Sequence, residues 1–172
     1  MKKIRYAIAM SLDGYIAGPN GEFDWIVVDP ELDFAALWGQ FDTLLMGRRT
    51  WDVARKRMGE PAFASVKTVV VSRTLQPADN PQISIVPELT EQSIEALRNQ
   101  SRKDIWLFGG GELFRHLLHM GQVDTVEVSV VPVLLGGGRA LLPAPANRTK
   151  LKLASHKVYR SGLVSLIYDV RP

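Results

Sequence analysis

The chain contains no cysteine. This absence excludes disulfide bonds, thiolate metal sites and a cysteine nucleophile, and it fits a reducing cytoplasm, which we predict as the location. No apolar run approaches the length of a membrane span, and the basic N-terminus is not followed by the apolar core of a signal peptide. A metal site is not predicted either, because His116 and His119 share a helix face without an evident third ligand.

Clustered charge is also lacking. The formal net charge is +3 over 172 residues, and the basic residues are scattered along the chain. They form neither the patches nor the interleaving with aromatic residues that a nucleic-acid surface requires. We therefore expect no nucleic-acid and no membrane partner. Hydrophobic residues make up 46% of the chain and charged residues 23%, as in ordinary globular proteins, and the length favours one domain over residues 1–172.

The hydrophobic pattern predicts an α/β fold. Strand patterns occur at 4–10, 42–46, 67–71, 82–86 and 105–108, and helical patterns begin at Asp29, Gly47, Thr90 and Gly111. Such alternation indicates parallel strand pairs. A long strand region follows at 123–135, and strands at 151–159 and 163–170 are joined by a turn too short for a crossover helix, so they pair antiparallel. The prediction is a mixed, mostly parallel sheet flanked by helices, with an antiparallel C-terminal hairpin.

The first helix is predicted from its capping pattern. Asp29 is the expected N-cap and Pro30 the first helical residue. Phe34, Leu37, Trp38 and Phe41 then form an apolar stripe at helical spacing.

The stretch from Asp104 to Phe114 reads as strand, glycine turn and helix. Ile105 to Phe108 are apolar, three glycines follow, and the apolar residues after them recur at helical spacing. Glycines there allow a ligand to approach the backbone closely, and a helix N-terminus favours a phosphate. On this stretch alone, a tight turn between two packed elements is an equally good interpretation.

Three predicted strand ends carry residues that suit phosphate groups. They are Gly47-Arg-Arg-Thr50, Ser72-Arg-Thr74 and Gly109-Gly-Gly111. Ligands of open α/β sheets bind at the carboxyl ends of the strands, and arginines there can hold an additional phosphate. The pattern therefore favours NADPH over NADH. It matches neither the G-x-G-x-x-G fingerprint nor a P-loop.

Several motifs that follow one another along the chain resemble those of a known protein family. Met46-Gly-Arg-Arg-Thr-Trp51, Ile105-Trp-Leu-Phe-Gly-Gly-Gly-Glu112 and Val131-Pro-Val-Leu-Leu-Gly-Gly-Gly138 resemble the motif series of the dihydrofolate reductase fold. Ser11-Leu-Asp-Gly-Tyr-Ile-Ala17 is most similar to its riboflavin-biosynthesis branch, the reductase domain of the deaminase-reductase. The resemblance covers nearly the whole chain. It implies an NADPH-dependent oxidoreductase that acts on a small nitrogen heterocycle, with reduction of the ribosylamino-pyrimidine of riboflavin synthesis as the nearest activity.

The resemblance also implies a cofactor site. The backbones of Ala9 and Ile16 would hold the nicotinamide carboxamide, and Gly109 and Gly110 would be joined by a cis peptide. The other cofactor-binding residues that it implies are Gly47, Arg48, Thr50, Ser72, Arg73, Phe108, Gly111, Glu112 and Leu113.

The catalytic and substrate residues are less closely defined. Asp33 is the predicted carboxylate that assists protonation, unless it is only a solvated acid in the first turn of its helix. Asp13 is the second candidate, unless it is only a turn residue before Gly14. Trp25 and Ser129 are the predicted substrate contacts, although alternation along a strand leaves open which way Ser129 faces.

Alternative functions remain open. The first is reduction of dihydrofolate or another pterin, and the second is a non-catalytic NADP-binding module. Because the chain has no cysteine, it lacks the zinc ligands of the deaminase half, so only the reductive step is expected. The resemblance further implies a homodimer.

Overall fold

The computed structural model of the protein describes residues 1–170. The strands are β1 (Ile4–Ser11), β2 (Tyr15–Ala17), β3 (Phe41–Gly47), β4 (Lys67–Val71), β5 (Ser84–Val86), β6 (Asp104–Gly109), β7 (Thr125–Val131), β8 (Arg139–Ala140), β9 (Leu151–Val158) and β10 (Val164–Val170). The α-helices are α1 (Phe34–Trp38), α2 (Arg48–Met58), α3 (Glu91–Gln100) and α4 (Gly111–His119). Short 3₁₀ turns occur at Glu60–Phe63 and Pro77–Asp79.

Eight strands form one sheet in the order β5-β4-β3-β6-β1-β7-β10-β9. The six strands from β5 to β7 run parallel to one another. Strand β10 pairs antiparallel with both β7 and β9, so the C-terminal hairpin is confirmed. Strands β2 and β8 form a separate antiparallel pair. The predicted α/β class with a mixed, mostly parallel sheet is therefore confirmed.

Alternation along the strands separates two apolar cores, one on each face of the sheet. One face carries Tyr6 and Leu107, against which α3 and α4 pack. The opposite face carries Ala7, Met46 and Trp106, against which α2 packs. Because parallel strands are covered on both faces, their central residues are almost continuously apolar.

Three helices, α2 to α4, begin where the sequence predicts. Thr90 caps α3, since its side chain accepts a hydrogen bond from the backbone N–H of Ser93 while the Ser93 hydroxyl bonds back to the Thr90 backbone. The inward residues Ile94 and Leu97 are buried. Helix α4 buries Leu113, as its spacing predicts.

The predicted helix start at Asp29 is wrong. Helix α1 begins at Phe34, and its N-cap is Asp33, whose carboxylate accepts a hydrogen bond from the Ala36 N–H at 2.8 Å. The Asp29 side chain does accept from the backbone two residues on, at Glu31, but this bond closes only a local turn. Both Asp29 and Asp33 have a side chain that can cap a helix, but only Asp33 caps α1.

The predicted stripe on that helix is only partly correct, because Leu37 and Trp38 are half-buried and pack against the core on the α2 side. Helix α1 has only five residues and buries none of them. Phe34 is 42% exposed, whereas Phe41 already belongs to β3.

The predicted strand at 123–135 is too long, because β7 ends at Val131. Pro132 follows, and a proline has no N–H with which to continue the ladder. Residues 132–138 instead form a loop that leads into β8. Within this loop Gly138 has a positive φ of 147°, and a Cβ there would lie 2.2 Å from the Ala17 carbonyl oxygen. The loop can therefore pack against β2 only with glycine at this position.

Candidate active site

Three strand ends with phosphate-compatible residues meet at one edge of the sheet. Strands β4, β3 and β6 are neighbours. Gly47 at the end of β3 pairs with Val71, and the preceding Met46 pairs with Gly109. The motifs at Gly47, Ser72 and Gly109 therefore lie side by side, as predicted from their positions after parallel strands.

Two helix N-termini converge at this edge. The N-cap residues of α2 and α4 are Gly47 and Gly110, and neither has a side chain that could cap its helix. A Cβ built on Gly110 would lie 3.4 Å from Thr50 Oγ1, so the first turn of α2 lies against the start of α4. A Cβ on Gly47 would meet no atom within 4 Å. Uncapped N–H groups beside open space suit an anion such as a pyrophosphate.

The peptide bond between Gly109 and Gly110 is cis. The resemblance predicts this bond, so the prediction is confirmed. Gly109 also has a φ of 134°, a conformation that favours glycine.

Arg48 is oriented toward the end of β4. Its Nη1 donates a hydrogen bond to Thr74 Oγ1, and its Nε lies 3.5 Å from Asp52. Ser72 is buried, and its hydroxyl accepts hydrogen bonds from the Thr74 and Leu75 backbone N–H groups, so it shapes this turn. Arg73 is exposed and makes no ion pair with the rest of residues 1–170. The edge therefore carries two guanidinium groups beside a shaped turn.

Other predicted cofactor residues lie in the same region but face different ways. The Leu113 side chain is buried in the core, which leaves only its backbone for a ligand. The Glu112 carboxylate is turned to solvent and pairs with Arg115 at 2.6 Å. Gly111 is required for packing, because a Cβ there would lie 2.7 Å from the Ala140 carbonyl oxygen. Phe108 packs edge-on against Trp106.

The predicted nicotinamide contacts lie around the end of β1. Ala9 lies on β1 and Ile16 on β2, and both are half-buried. The Ser11 hydroxyl accepts a hydrogen bond from the Tyr15 N–H at 2.9 Å, which holds β2 close to the end of β1.

Asp13 ties this turn to the loop after β7. Its carboxylate accepts hydrogen bonds from the Ser11 hydroxyl at 2.6 Å and from the backbone N–H groups of Leu135 at 3.1 Å and Gly136 at 2.7 Å. The Ser11 hydroxyl, and then these N–H groups, hold the pKa of Asp13 below its usual value. At neutral pH Asp13 is therefore an anion that joins two loops, an arrangement that does not favour proton donation.

Ser129 faces the side of the sheet that carries Ala9. The two residues are paired across β1 and β7, and Ser165 of β10 continues the row. Ala7, two residues before Ala9, belongs to the core on the α2 side. Alternation therefore places the row on that face. Three small side chains here form a flat surface next to the aromatic group of Trp38, Trp106 and Phe108.

The last two predicted site residues are Trp25, which lies before α1, and Asp33, which lies at its start. Asp33 is its exposed N-cap. Trp25 is half-buried and donates its indole N–H to the Glu22 carbonyl at 3.1 Å. Within residues 1–170, no hydrogen bond, ion pair or ring contact joins either of them to the glycine turns.

A cavity of about 470 Å³ lies elsewhere, between α4 and residues 142–149. None of the predicted site residues lines it. In the part of the chain that the structure describes, no group of three or more histidine or carboxylate side chains is arranged for a metal. Nor does any helix within residues 1–170 have the length and apolar character to cross a bilayer.

Sequence reasoning missed two contacts that shape the site. One is the bond between Asp13 and Gly136, and the other joins Asp29 to Ser161 across 132 residues. No local pattern could signal them, because both depend on how distant strands are ordered. Ser165, which lies beside Ser129 in the row of small residues, could be recognised only once the strand register was known.

Comparison with known proteins identifies the family. Residues 2–165 match the model of the RibD C-terminal domain. The chain belongs to this family. The uncharacterized protein YyaP of Bacillus subtilis is 34% identical over 97% of this chain and 94% of its own length. The chain is also similar to the crystal structure of a putative riboflavin biosynthesis protein from Shewanella sp. PV-4, with 26% identity and a TM-score of 0.83. The match covers 100% of both chains.

The chain is also similar to a dihydrofolate reductase. Dihydrofolate reductase type 6 of Proteus mirabilis is 29% identical over 83% of both chains. The RibD C-terminal domain family and these neighbours confirm the dihydrofolate reductase-like fold and its riboflavin-biosynthesis branch. They identify the chain as a reductase-type domain.

Proposed function

We propose that this protein is an NADPH-dependent reductase of a small nitrogen heterocycle. The observation that carries the proposal is the meeting of two uncapped helix N-termini and two arginines at adjacent strand ends, in a chain of the RibD C-terminal domain family. A cytoplasmic location, expected from the absence of cysteine, belongs to the same proposal.

The residues at this edge fit NADPH. The N–H groups at the starts of α2 and α4 would receive the pyrophosphate, and Thr50 stands between them. Arg48 and Arg73 would bind the 2′-phosphate through charge-assisted hydrogen bonds. The backbones of Ala9 and Ile16 would orient the carboxamide. When bound, NADPH supplies the hydride, and the protein supplies position and electrostatics.

The substrate would lie on the face that carries Ala9, Ser129 and Ser165. Small side chains leave room for a flat ring there, and the Ser129 and Ser165 hydroxyls offer hydrogen bonds to its polar edge. The aromatic group beside this row, which includes the half-buried Trp38, would bound one side of the ring.

Reduction of a ribosylamino-pyrimidine is the specific activity that we propose first, because the family model is that of the RibD C-terminal domain. Reduction of dihydrofolate or another pterin is the alternative, supported by the similarity to the Proteus mirabilis enzyme.

One assay tests the proposal. We expect NADPH oxidation with at least one member of a panel of ribosylamino-pyrimidines, pterins and quinones. Turnover with pterins only would indicate pterin reduction in place of the reduction of a ribosylamino-pyrimidine. NADPH binding without turnover on any member would indicate a non-catalytic NADP-binding module instead.

Asp33 is the proposed proton donor. Asn caps a helix as well as Asp does, so Asp33→Asn preserves the start of α1 and removes only the acid. We expect this variant to lower turnover roughly 10²-fold, the usual contribution of a general acid, with NADPH binding unchanged. Steady-state kinetics and calorimetry measure the two quantities. Unchanged turnover would transfer proton donation to water.

A homodimer is also proposed, through the apolar side of β9. All eight residues of this edge strand are exposed, and Leu151, Leu153 and Val158 are 43%, 48% and 66% exposed. A register shift within β9 places these three residues on one face, since they pair with Val170, Tyr168 and Val164. Lys152 and Lys157 lie on the other face and oppose edge-to-edge pairing. Packing of the apolar face against a second copy is therefore favoured.

The dimer is tested by light scattering at micromolar concentration. We expect twice the mass of the chain for the wild type and the mass of a monomer for Leu153→Glu. Val53→Glu, at a similarly exposed position on α2, serves as the control and should stay dimeric. A monomeric wild type would rule this interface out.

A further inference from the structure

Residues 22–33 join β2 to α1 and are attached to the rest of the protein at two points. Near one end, the Phe23 ring lies 4.6 Å from the Arg57 guanidinium of α2. Farther along, Asp29 lies against the turn 159–162 between β9 and β10, and the exposed Arg160 of this turn lies 3.5 Å from Glu31. Between the two attachments Val27 and Val28 are 49% and 64% exposed. These two valines contribute little apolar burial, so the two attachments, together with the half-buried Trp25 and Ile26, determine where the segment lies.

The attachment at Asp29 is polar and well enclosed. The residue is only 2% exposed. Its Oδ1 accepts a hydrogen bond from the Glu31 N–H at 2.8 Å, and its Oδ2 accepts one from the Ser161 N–H at 3.3 Å. The Ser161 hydroxyl, and then these N–H groups and the charge of Lys157, hold the pKa of Asp29 below its usual value. The carboxylate therefore stays ionised at neutral pH, and charge-assisted bonds of this kind are among the strongest.

The two attachments lie on opposite sides of the row of small residues. Helix α2 covers the β3 and β4 side of the face that carries Ala9. The turn 159–162 lies beyond β7, at the end of the sheet where β7 stops, since a Cβ on Gly162 would be 3.4 Å from Pro132. In the strand order, β6, β1 and β7 separate the two sides. A segment fixed at both must cross the face on which the substrate is proposed to lie, and Trp25 is carried with it.

We propose that Asp29 is a positioning residue that latches residues 22–33 onto the turn 159–162 and so holds the outer wall of the substrate site. The proposal rests on the proposed function for its kinetic consequence, but not for the latch itself. Asp29 touches neither cofactor nor substrate in this account. It acts through the segment, and its loss should affect substrate binding more than the chemical step.

Hydrogen exchange in the free protein tests the latch without any ligand. In Asp29→Ala we expect the amides of residues 23–31 to exchange about tenfold faster than in the wild type, as the loss of a charge-assisted hydrogen bond implies. Asp29→Asn retains the shape and one acceptor oxygen and should be intermediate. Asp24→Asn is the control, because Asp24 is exposed on the same segment and should exchange like the wild type. Unchanged exchange in both Asp29 variants would overturn the latch.

Kinetics test the consequence. With a substrate found in the NADPH assay, Asp29→Ala should raise KM about tenfold with kcat changed by less than about twofold, because binding rather than chemistry is affected. Asp29→Asn should recover part of the loss, and NADPH affinity should be unchanged in both. Faster exchange with an unchanged KM would overturn the positioning role.

Failure of the proposed function is distinguishable from failure of the latch. If no substrate is turned over by the wild type, the exchange experiment still decides on the latch by itself. If Asp29→Ala does not fold, Asp29→Asn still decides between the outcomes.

Discussion

Replacing Arg48 or Arg73 by methionine should raise the dissociation constant of NADPH at least tenfold and leave that of NADH almost unchanged. Only NADPH carries the 2′-phosphate, and hydrogen bonds between charged groups contribute about 1.5–3 kcal/mol. About 1.4 kcal/mol corresponds to a tenfold change in affinity. The wild type should therefore prefer NADPH by a similar factor. Arg48 is the stronger candidate, because its bond to Thr74 already directs it toward the end of β4.

Calorimetric titration with both nucleotides measures the effect. Lys56→Met is the matched control, since it removes one positive charge from the exposed last turn of the same helix. Its NADPH affinity should stay close to that of the wild type, especially at moderate salt, where distant surface charges are screened. Equal affinities of the wild type for NADPH and NADH would contradict the assignment of both arginines.

Glu127→Ala should lower the free energy of unfolding by about 3 kcal/mol, because it leaves a mostly buried guanidinium with only Gln40 and the more distant Asp104 carboxylate as partners. Arg5 and Glu127 are only 14% and 8% exposed, and two bonds of 2.6 and 2.8 Å join them. The Thr125 hydroxyl donates to the same carboxylate. The Glu127 carboxylate, outweighing burial, raises the pKa of Arg5, so the guanidinium stays charged in every accessible condition.

Urea unfolding of two further variants separates this effect from ordinary charge removal. The exposed pair of Glu112 and Arg115 provides the control, and Glu112→Gln should cost less than about 1 kcal/mol. Replacing Arg5 and Glu127 together by methionine and leucine should restore most of the stability, because no charge is then left buried. A loss of stability for Glu127→Ala no larger than that of the control would contradict the account of this pair.

The sequence was most informative where one residue type has one physical use. The glycines after β6, the threonine that caps α3 and the short turn between β9 and β10 each predicted the local structure correctly. The alternation of strands and helices predicted parallel strands, and parallel strands place the three phosphate-compatible motifs at one edge of the sheet. Local chemistry and strand order together account for this part of the fold and of the proposed cofactor site.

Elsewhere the local signals were ambiguous or absent. Asp29 followed by Pro30 has the chemistry of a helix start, but its carboxylate is engaged by the Ser161 N–H on a distant turn. Asp13 resembles a turn residue, and its bond to Gly136 spans 123 residues. Such contacts arise from the order of the strands, which no local pattern contains. The proposed substrate side is built mostly from contacts of this kind, and it was therefore the part least predictable from the sequence.

We propose above all that NADPH binds across the ends of β4, β3 and β6. Titration of the isotope-labelled protein with NADPH, followed by amide chemical shifts, tests it most directly. We expect the largest changes at residues 47–50, 72–74 and 109–111, with smaller changes around Ala9 and Ile16. Changes confined to the cavity between α4 and residues 142–149, or no saturable change at all, would contradict the claim.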